Sequence, residues 1–204
     1  MSVKKKLTPR KKATQGRAKE TVKSIVEATT HIIEESGISD LSTNQIAKKA
    51  GVSIGSLYQY FPSKESILIH LVEKELTSHV DNIQTHISQM DDTNLEEFID
   101  EILITILNMF EKKKKIRYLL YKYLPRGLTP LIHDIENQLQ KTIYEKLKTY
   151  PELNTREDLN TVSYILVHSV IGVVHGKLAK GRTFDSEKVN EELKKMIKGY
   201  LLNF

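Results

Sequence analysis

The residues with the clearest chemical purpose lie at positions 42–61, STNQIAKKAGVSIGSLYQYF. Two short helical segments meet there at Ala50-Gly51-Val52. A helix-turn-helix needs a small residue where its helices cross, and Ala47 supplies one. It needs a turn residue that tolerates a left-handed backbone, and Gly51 supplies that. Ile46, Ala50, Val52 and Leu57 provide apolar inner faces. Outside, the second segment carries Ser53, Gly55, Ser56, Tyr58, Gln59 and Tyr60, polar or small, as a surface entering a major groove must be. The chemistry on offer is recognition of base edges and phosphates rather than bond making.

Other constellations are poorer. The chain has no Cys, so neither a disulfide nor a thiolate nucleophile is available. It contains no phosphate-binding glycine loop, no Gly-x-Ser-x-Gly elbow and no His-Glu-x-x-His pair. His168 and His175 share a helix face, but no carboxylate or Cys stands near them at ligand spacing; they read as core or interface residues. The pairs Asp91-Asp92 and Glu96-Glu97 sit at a helix start, where they favour the dipole. No catalytic residue, metal or cofactor is expected, and the chain does not read as an enzyme.

The elements that hold positions 42–61 are helical. Val22, Ile25, Val26, Thr29, Ile32 and Ile33 recur at helical steps, and Gly37 can stop that helix. Ser42 and Gln45 form a capping box, with Leu41 and Ile46 as its staple. Ser53 can cap the next helix. Pro62 ends it, and Ser63 can cap a long helix through Ile67, Leu68, Leu71, Val72 and Leu76. Beyond, Thr93 and Glu96 suggest a capping box, 116–124 a short apolar segment after the lysine run 112–115, and Thr129-Pro130 a helix running to about Tyr150. Thr155 opens the next, to near Gly181, and Asp185 the last, with Phe184 and Val189 as its staple. The expected fold is all-α with about nine helices.

Charge is unevenly spread along the 204 residues. Residues 1–64 hold 12 Lys/Arg and 5 Asp/Glu; the other 140 hold 19 and 21. A basic lobe on a near-neutral body suits a polyanion. Residues 1–16 carry Lys4, Lys5, Lys6, Arg10, Lys11 and Lys12 and read as a disordered arm. No apolar run approaches the roughly 20 residues that span a bilayer, and no apolar core follows the basic start, so a cytoplasmic protein is expected.

Residues 22–69 resemble the DNA-binding domain of the tetracycline-repressor (TetR) family of bacterial regulators. Thr43, Ile46, Ala47, Ala50, Gly51, Val52, Ser53, Gly55, Leu57, Tyr58, Tyr60, Phe61, Ser63, Lys64, Glu65 and Leu68 carry the likeness. The resemblance implies a helix-turn-helix domain over 17–66, with a fourth helix linking from 63, and a regulatory ligand-binding and dimerisation domain over 67–204. It implies a homodimer on a palindromic double-stranded operator, weakened by a small-molecule inducer. Thr43, Tyr58, Tyr60 and Lys64 then contact phosphate and sugar, while Ser53, Ile54, Gly55 and Ser56 face base edges. No Arg or Lys lies between Ser53 and Phe61, so guanine readout from this helix is disfavoured; thymine methyls, Gln59 and DNA shape remain.

Two further surfaces are expected. Val162, Ile165, Ser169, Gly172, Val173 and Gly176 follow helical steps, and Val189, Leu193, Met196, Ile197 and Tyr200 do so on the last helix. Together with a symmetry mate they would form a four-helix dimer face, although the same stripe could pack within one chain. Ile102, Ile106, Met109, Phe110, Leu120, Tyr123, Leu124, Ile135 and Tyr144 could line a pocket, and their low charge favours an apolar or amphipathic ligand.

The reading is a ligand-responsive regulator, most simply a repressor; the rival is a nonspecific or architectural DNA binder without an inducer. The arm is either a clamp on the DNA or a solvated tail. Deleting residues 2–13 separates these: loss of each phosphate contact flattens the log–log salt dependence of DNA binding by about 0.9. An unchanged slope removes the clamp.

Overall fold

The computed structural model describes residues 16–39, 41–90, 94–111, 129–178 and 186–202. The arm, the lysine run 112–115 and segment 116–124 lie outside these residues, as do Asp185 and Phe184. Among the described residues the chain forms eight α-helices and no strand. They are α1 (Gly16–Ser36), α2 (Thr43–Ala50), α3 (Ile54–Tyr60), α4 (Lys64–Gln89), α5 (Leu95–Glu111), α6 (Thr129–Leu147), α7 (Leu159–Leu178) and α8 (Ser186–Leu202). The chain is all-α. Its contacts group residues 16–75 into one unit, and residues 76–111 with 130–202 into another.

In the first unit, α1 buries Ile25, Val26, Ala28, Thr29, Ile32 and Ile33, the helical stripe read from the sequence. The buried Thr29 hydroxyl donates back to the Ile25 carbonyl at 2.7 Å, so no polar group is stranded there. Gly37 ends α1 at φ 81°, with its N–H on the Ile33 carbonyl. Against this stripe packs α2, and at the start of α4 Ile67, Leu68, Leu71 and Val72 are buried as well.

The second unit packs the rest of α4 with α5 to α8. Its core runs through Ile83, Ile87, Phe98, Ile99, Ile102, Leu147, Leu166, Val170, Leu193 and Ile197. Burying such a side chain contributes about 1.5–3 kcal/mol relative to exposure, which makes this apolar stack the main cohesive term. A charged clasp joins α5 to α8. Lys194 Nζ lies 3.0 Å from Asp100 Oδ2, and Lys198 Nζ lies 2.9 Å from Asp100 Oδ1 and 2.7 Å from Glu96 Oε1.

Several helix boundaries differ from those read in the sequence. The box that opens α5 is Asn94 with Glu97, one residue past Thr93 and Glu96: Glu97 N–H donates to Asn94 Oδ1 at 2.9 Å, and Asn94 N–H to Glu97 Oε2 at 3.3 Å. Asn ranks above Thr as an N-cap, so local preference agrees with the observed register. Helix α7 starts four residues after Thr155, because Asp158 accepts from Thr161 N–H at 2.9 Å and from its hydroxyl at 2.5 Å. Helix α6 stops at Leu147, and a 3-10 turn at Pro151–Leu153 fills the gap before α7.

By length and composition alone, Leu159–Gly176 within α7 is apolar enough to cross a bilayer. The same stretch buries Val162, Leu166, Val167, Val170 and Val174 in the core of its unit. It also carries Asn160, Thr161, Ser163, His168, Ser169 and His175, the composition of a core helix.

The clasp makes a pH prediction. Burial pushes the Asp100 carboxyl up, but Lys198 and Lys194 outweigh it and hold the group below its ordinary value. A depressed carboxylate adds stability that is full above the unfolded value and lost as pH falls through the folded one. Lys198→Met should therefore destabilise the protein at pH 6, and the gap from wild type should narrow below pH about 3.9. Urea unfolding at both pH values measures it.

Candidate nucleic-acid interface

Positions 42–61 fold as a helix-turn-helix, and local rules account for each step. Ser42 caps α2, and both halves of its box are made: Gln45 N–H donates to Ser42 Oγ at 3.3 Å, and Ser42 N–H to Gln45 Oε1 at 3.1 Å. Leu41 and Ile46, the staple, are both buried. Gly51 turns at φ 69°. Its N–H reaches the Lys48 carbonyl at 3.3 Å and Val52 N–H reaches Ala47 at 3.0 Å, the Schellman arrangement. Ala47 is buried at the crossing of α2 and α3. Ser53 caps α3 by accepting from Ser56 N–H at 3.0 Å.

One side of α3 is anchored and the other is bare. Leu57 and Phe61 are fully buried. Ile54, Gly55, Tyr58 and Gln59 are exposed. At about 100° per residue these four share one arc of about 140°, opposite Leu57. Ser56, beside this arc, and Tyr60, on the far side of the helix, are half-buried.

Five of the residues expected to contact DNA make side-chain bonds within the chain. Thr43, half-buried at the start of α2, meets Tyr58 of α3, with their hydroxyl oxygens 3.1 Å apart. Two intended phosphate contacts thus reach one spot from different helices. Ser53 and Ser56 hydroxyls lie 2.8 Å apart. Lys64 is turned inward: its ammonium donates to the Leu41 carbonyl at 2.9 Å, tying α4 to the entry of α2. Sequence reading missed that tie, as it missed the bond from Lys49 Nζ to Glu35 Oε2 at 2.6 Å between α2 and α1. Neither has a local signature, since the partners lie 23 and 14 residues apart. The Lys49 hydrogen bond and charge hold the Glu35 carboxyl below its ordinary range.

Residues 25–71 match the family model of bacterial regulatory proteins, tetR family, and residues 94–201 match that of the tetracyclin repressor-like C-terminal domain. The chain belongs to the TetR family. Members of that family are DNA-binding transcription regulators and not enzymes. An HTH-type transcriptional regulator of Bacillus subtilis, YvdT, is 33% identical over 133 residues, 63% of this chain and 61% of that protein. The fatty acid metabolism regulator protein of the same organism is 34% identical over 65 residues, 32% of this chain and 34% of that one. The chain thus spans less than two thirds of the length of these relatives. Among solved structures, a transcriptional regulator from Cytophaga hutchinsonii superposes with TM-score 0.71 at 17% identity, covering 89% of this chain and 97% of that one. The fatty acid degradation regulator FadR from Bacillus halodurans gives 0.58 at 22%, covering 87% and 97%. At these identities the likeness is one of fold.

The other expected surfaces of this TetR-family chain lie in the second unit. Of the stripe on α7 and α8, Val162, Leu193 and Ile197 are buried in their own core. Ser169, Val173, Gly176, Val189 and Tyr200 are half-buried, and Ile165, Gly172 and Met196 are exposed. Tyr164 and Leu202, not picked out by the spacing, are also large and exposed. Of the pocket set, Ile102 is buried, and Ile106, Ile135 and Tyr144 are half-buried. The side chains of Met109, Phe110, Leu120, Tyr123 and Leu124 lie outside the described residues. A cleft of about 630 Å³ between α4 and α6 is lined instead by polar groups such as Gln84, Ser88, Gln138, Lys141 and Thr142. Gln84 Nε2 donates across it to Thr142 Oγ1 at 3.0 Å.

The turn is the point where this unit should be most sensitive. Gly51→Ala places a side chain on a left-handed backbone and should cost roughly 1–2 kcal/mol, read as a lower urea midpoint with an unchanged slope.

Proposed function

We propose that this chain is a ligand-responsive repressor that binds a palindromic operator as a homodimer in the cytoplasm. A small apolar or amphipathic inducer releases it. The observation that carries the reading is the bare arc of α3, held outward by the buried Leu57 and flanked by the Thr43–Tyr58 hydroxyl pair. A surface of this shape, polar and thin at its centre, fits a groove better than it fits an apolar partner helix.

The dimer draws support from Tyr164, Ile165, Met196 and Leu202, large apolar side chains left exposed on two neighbouring helices. An isologous pairing through α7 and α8 would cover them. A dimer reading two adjacent major grooves must space its recognition helices by about 34–36 Å. An inducer that binds a wrongly spaced state more tightly then lowers operator affinity by linkage. For the inducer, the support is the weak charge of the set around Ile102, Ile106, Ile135 and Tyr144.

Selection of genome fragments with the purified protein, then footprinting at about 150 mM salt, tests the reading. The expected result is one or a few protected palindromes, cleared by added long-chain amphiphiles such as fatty acids. Salt-labile protection without preferred sites would establish the nonspecific binder instead. Discrete footprints insensitive to apolar ligands but cleared by polar anions would keep the repressor and discard this inducer class.

A further inference from the structure

The bare arc of α3 lacks the commonest means of reading bases, and Gln59 is its one amide side chain. Lys and Arg are absent from residues 53–61, so α3 cannot offer the paired donors that grip guanine O6 and N7. Its hydroxyls are partly engaged within the chain. Ser53 Oγ accepts the Ser56 N–H at 3.0 Å and sits 2.8 Å from Ser56 Oγ, and Tyr58 meets Thr43 at 3.1 Å. Beside Gln59, the arc presents one aliphatic side chain, Ile54, left 39% exposed. The exposed part of the isoleucine is not covered by the free chain, and it has no hydrogen-bonding group to offer a partner.

Gly55 gives an independent observation. Its backbone is not among the positive-φ glycines, so its conformation does not call for glycine. A Cβ added there would meet only Ser53 Oγ, at 3.8 Å, an ordinary contact. Neither strain nor packing inside the chain requires the missing side chain, and alanine is the better helix former. The gap lies in the middle of the exposed arc. It leaves room for a body outside the chain to come close to the α3 backbone.

We propose that Ile54 reads the C5-methyl of a thymine in the major groove, and that Gly55 lets α3 approach closely enough for the contact. The inference rests on the operator-binding reading above. The thymine methyl is the one apolar group that base edges present in that groove. An aliphatic side chain held against it prefers thymine to cytosine, because cytosine carries only a hydrogen at C5 and leaves that contact unfilled.

The probe is the operator selected by the wild-type protein, with each thymine of one half-site replaced in turn by deoxyuridine. That change removes a methyl and keeps every hydrogen-bonding group. Wild type should show one position where the loss weakens binding about fourfold, the worth of one buried methyl group. Ile54→Ala should bind the thymine and uracil forms of that position alike. Gly55→Ala should keep or raise the melting temperature and yet lose the same preference. Circular dichroism checks that both variants fold. If wild type is indifferent to uracil at every position, or Ile54→Ala keeps the preference, the methyl contact is refuted and the operator reading stands. If no discrete operator is selected, both fall together.

Discussion

A helix of seven residues does not hold itself together in water, because isolated helices shorter than about 12–15 residues are marginal even in favourable sequences. Helix α3 is that short. Whatever steadies it must come from one side and from its ends. Leu57 and Phe61 are buried to the last atom, the Ser53 hydroxyl closes the first turn, and Gly51 sets the angle at which the chain enters. With those holds in place the opposite side need contribute nothing to folding. That freedom is what allows Ile54, Gly55, Tyr58 and Gln59 to be chosen for a partner. The second unit has no comparable constraint, since its helices run 17 to 20 residues in α5 to α8 and share a deep apolar core.

The parts of the fold legible in the sequence are those settled by neighbours within five residues. The Ser42 box, the Leu41–Ile46 staple, the Gly37 and Gly51 stops and the Ser53 cap each need one short window, and each is made where the spacing put it. Short windows mislead when two candidate caps stand close together and the weaker one is taken. Thr93 and Asn94 both precede a glutamate by three, and the choice falls to the register that turns Leu95, Phe98 and Ile102 into the core. Thr155 and Asp158 compete in the same way, and the carboxylate with two donors from Thr161 wins.

Which side of α7 faces which neighbour was not legible, for a different reason. The helix is apolar nearly all round, so a 3.6-residue period has no polar face to measure against. Val162, Leu166, Val170 and Val174 share the inward line, while Tyr164 and Ile165, just as apolar, stand outside. Only the position of the other helices makes that choice. The α5–α8 clasp was hidden for the related reason that Glu96 and Lys198 lie 102 residues apart. The tie from Lys64 to the Leu41 carbonyl, 23 residues away, was hidden in the same way.

On the proposed reading, charge and sequence discrimination are carried by different stretches of one small unit. Residues 1–64 hold the positive excess, and residues 53–61 hold none of it. Attraction between cations and phosphates is blind to sequence and falls steeply with salt. Contacts from an uncharged helix to base edges depend on sequence and release no counterions of their own. A protein arranged this way can be drawn to any duplex by its basic stretches while the bare arc of α3 is tried against successive base steps. Placing a cation on α3 would strengthen the first process at every site alike and blur the second. The absence of Lys and Arg from that short helix therefore has a physical use: it keeps the hold on phosphate from overruling the test of shape and methyl pattern.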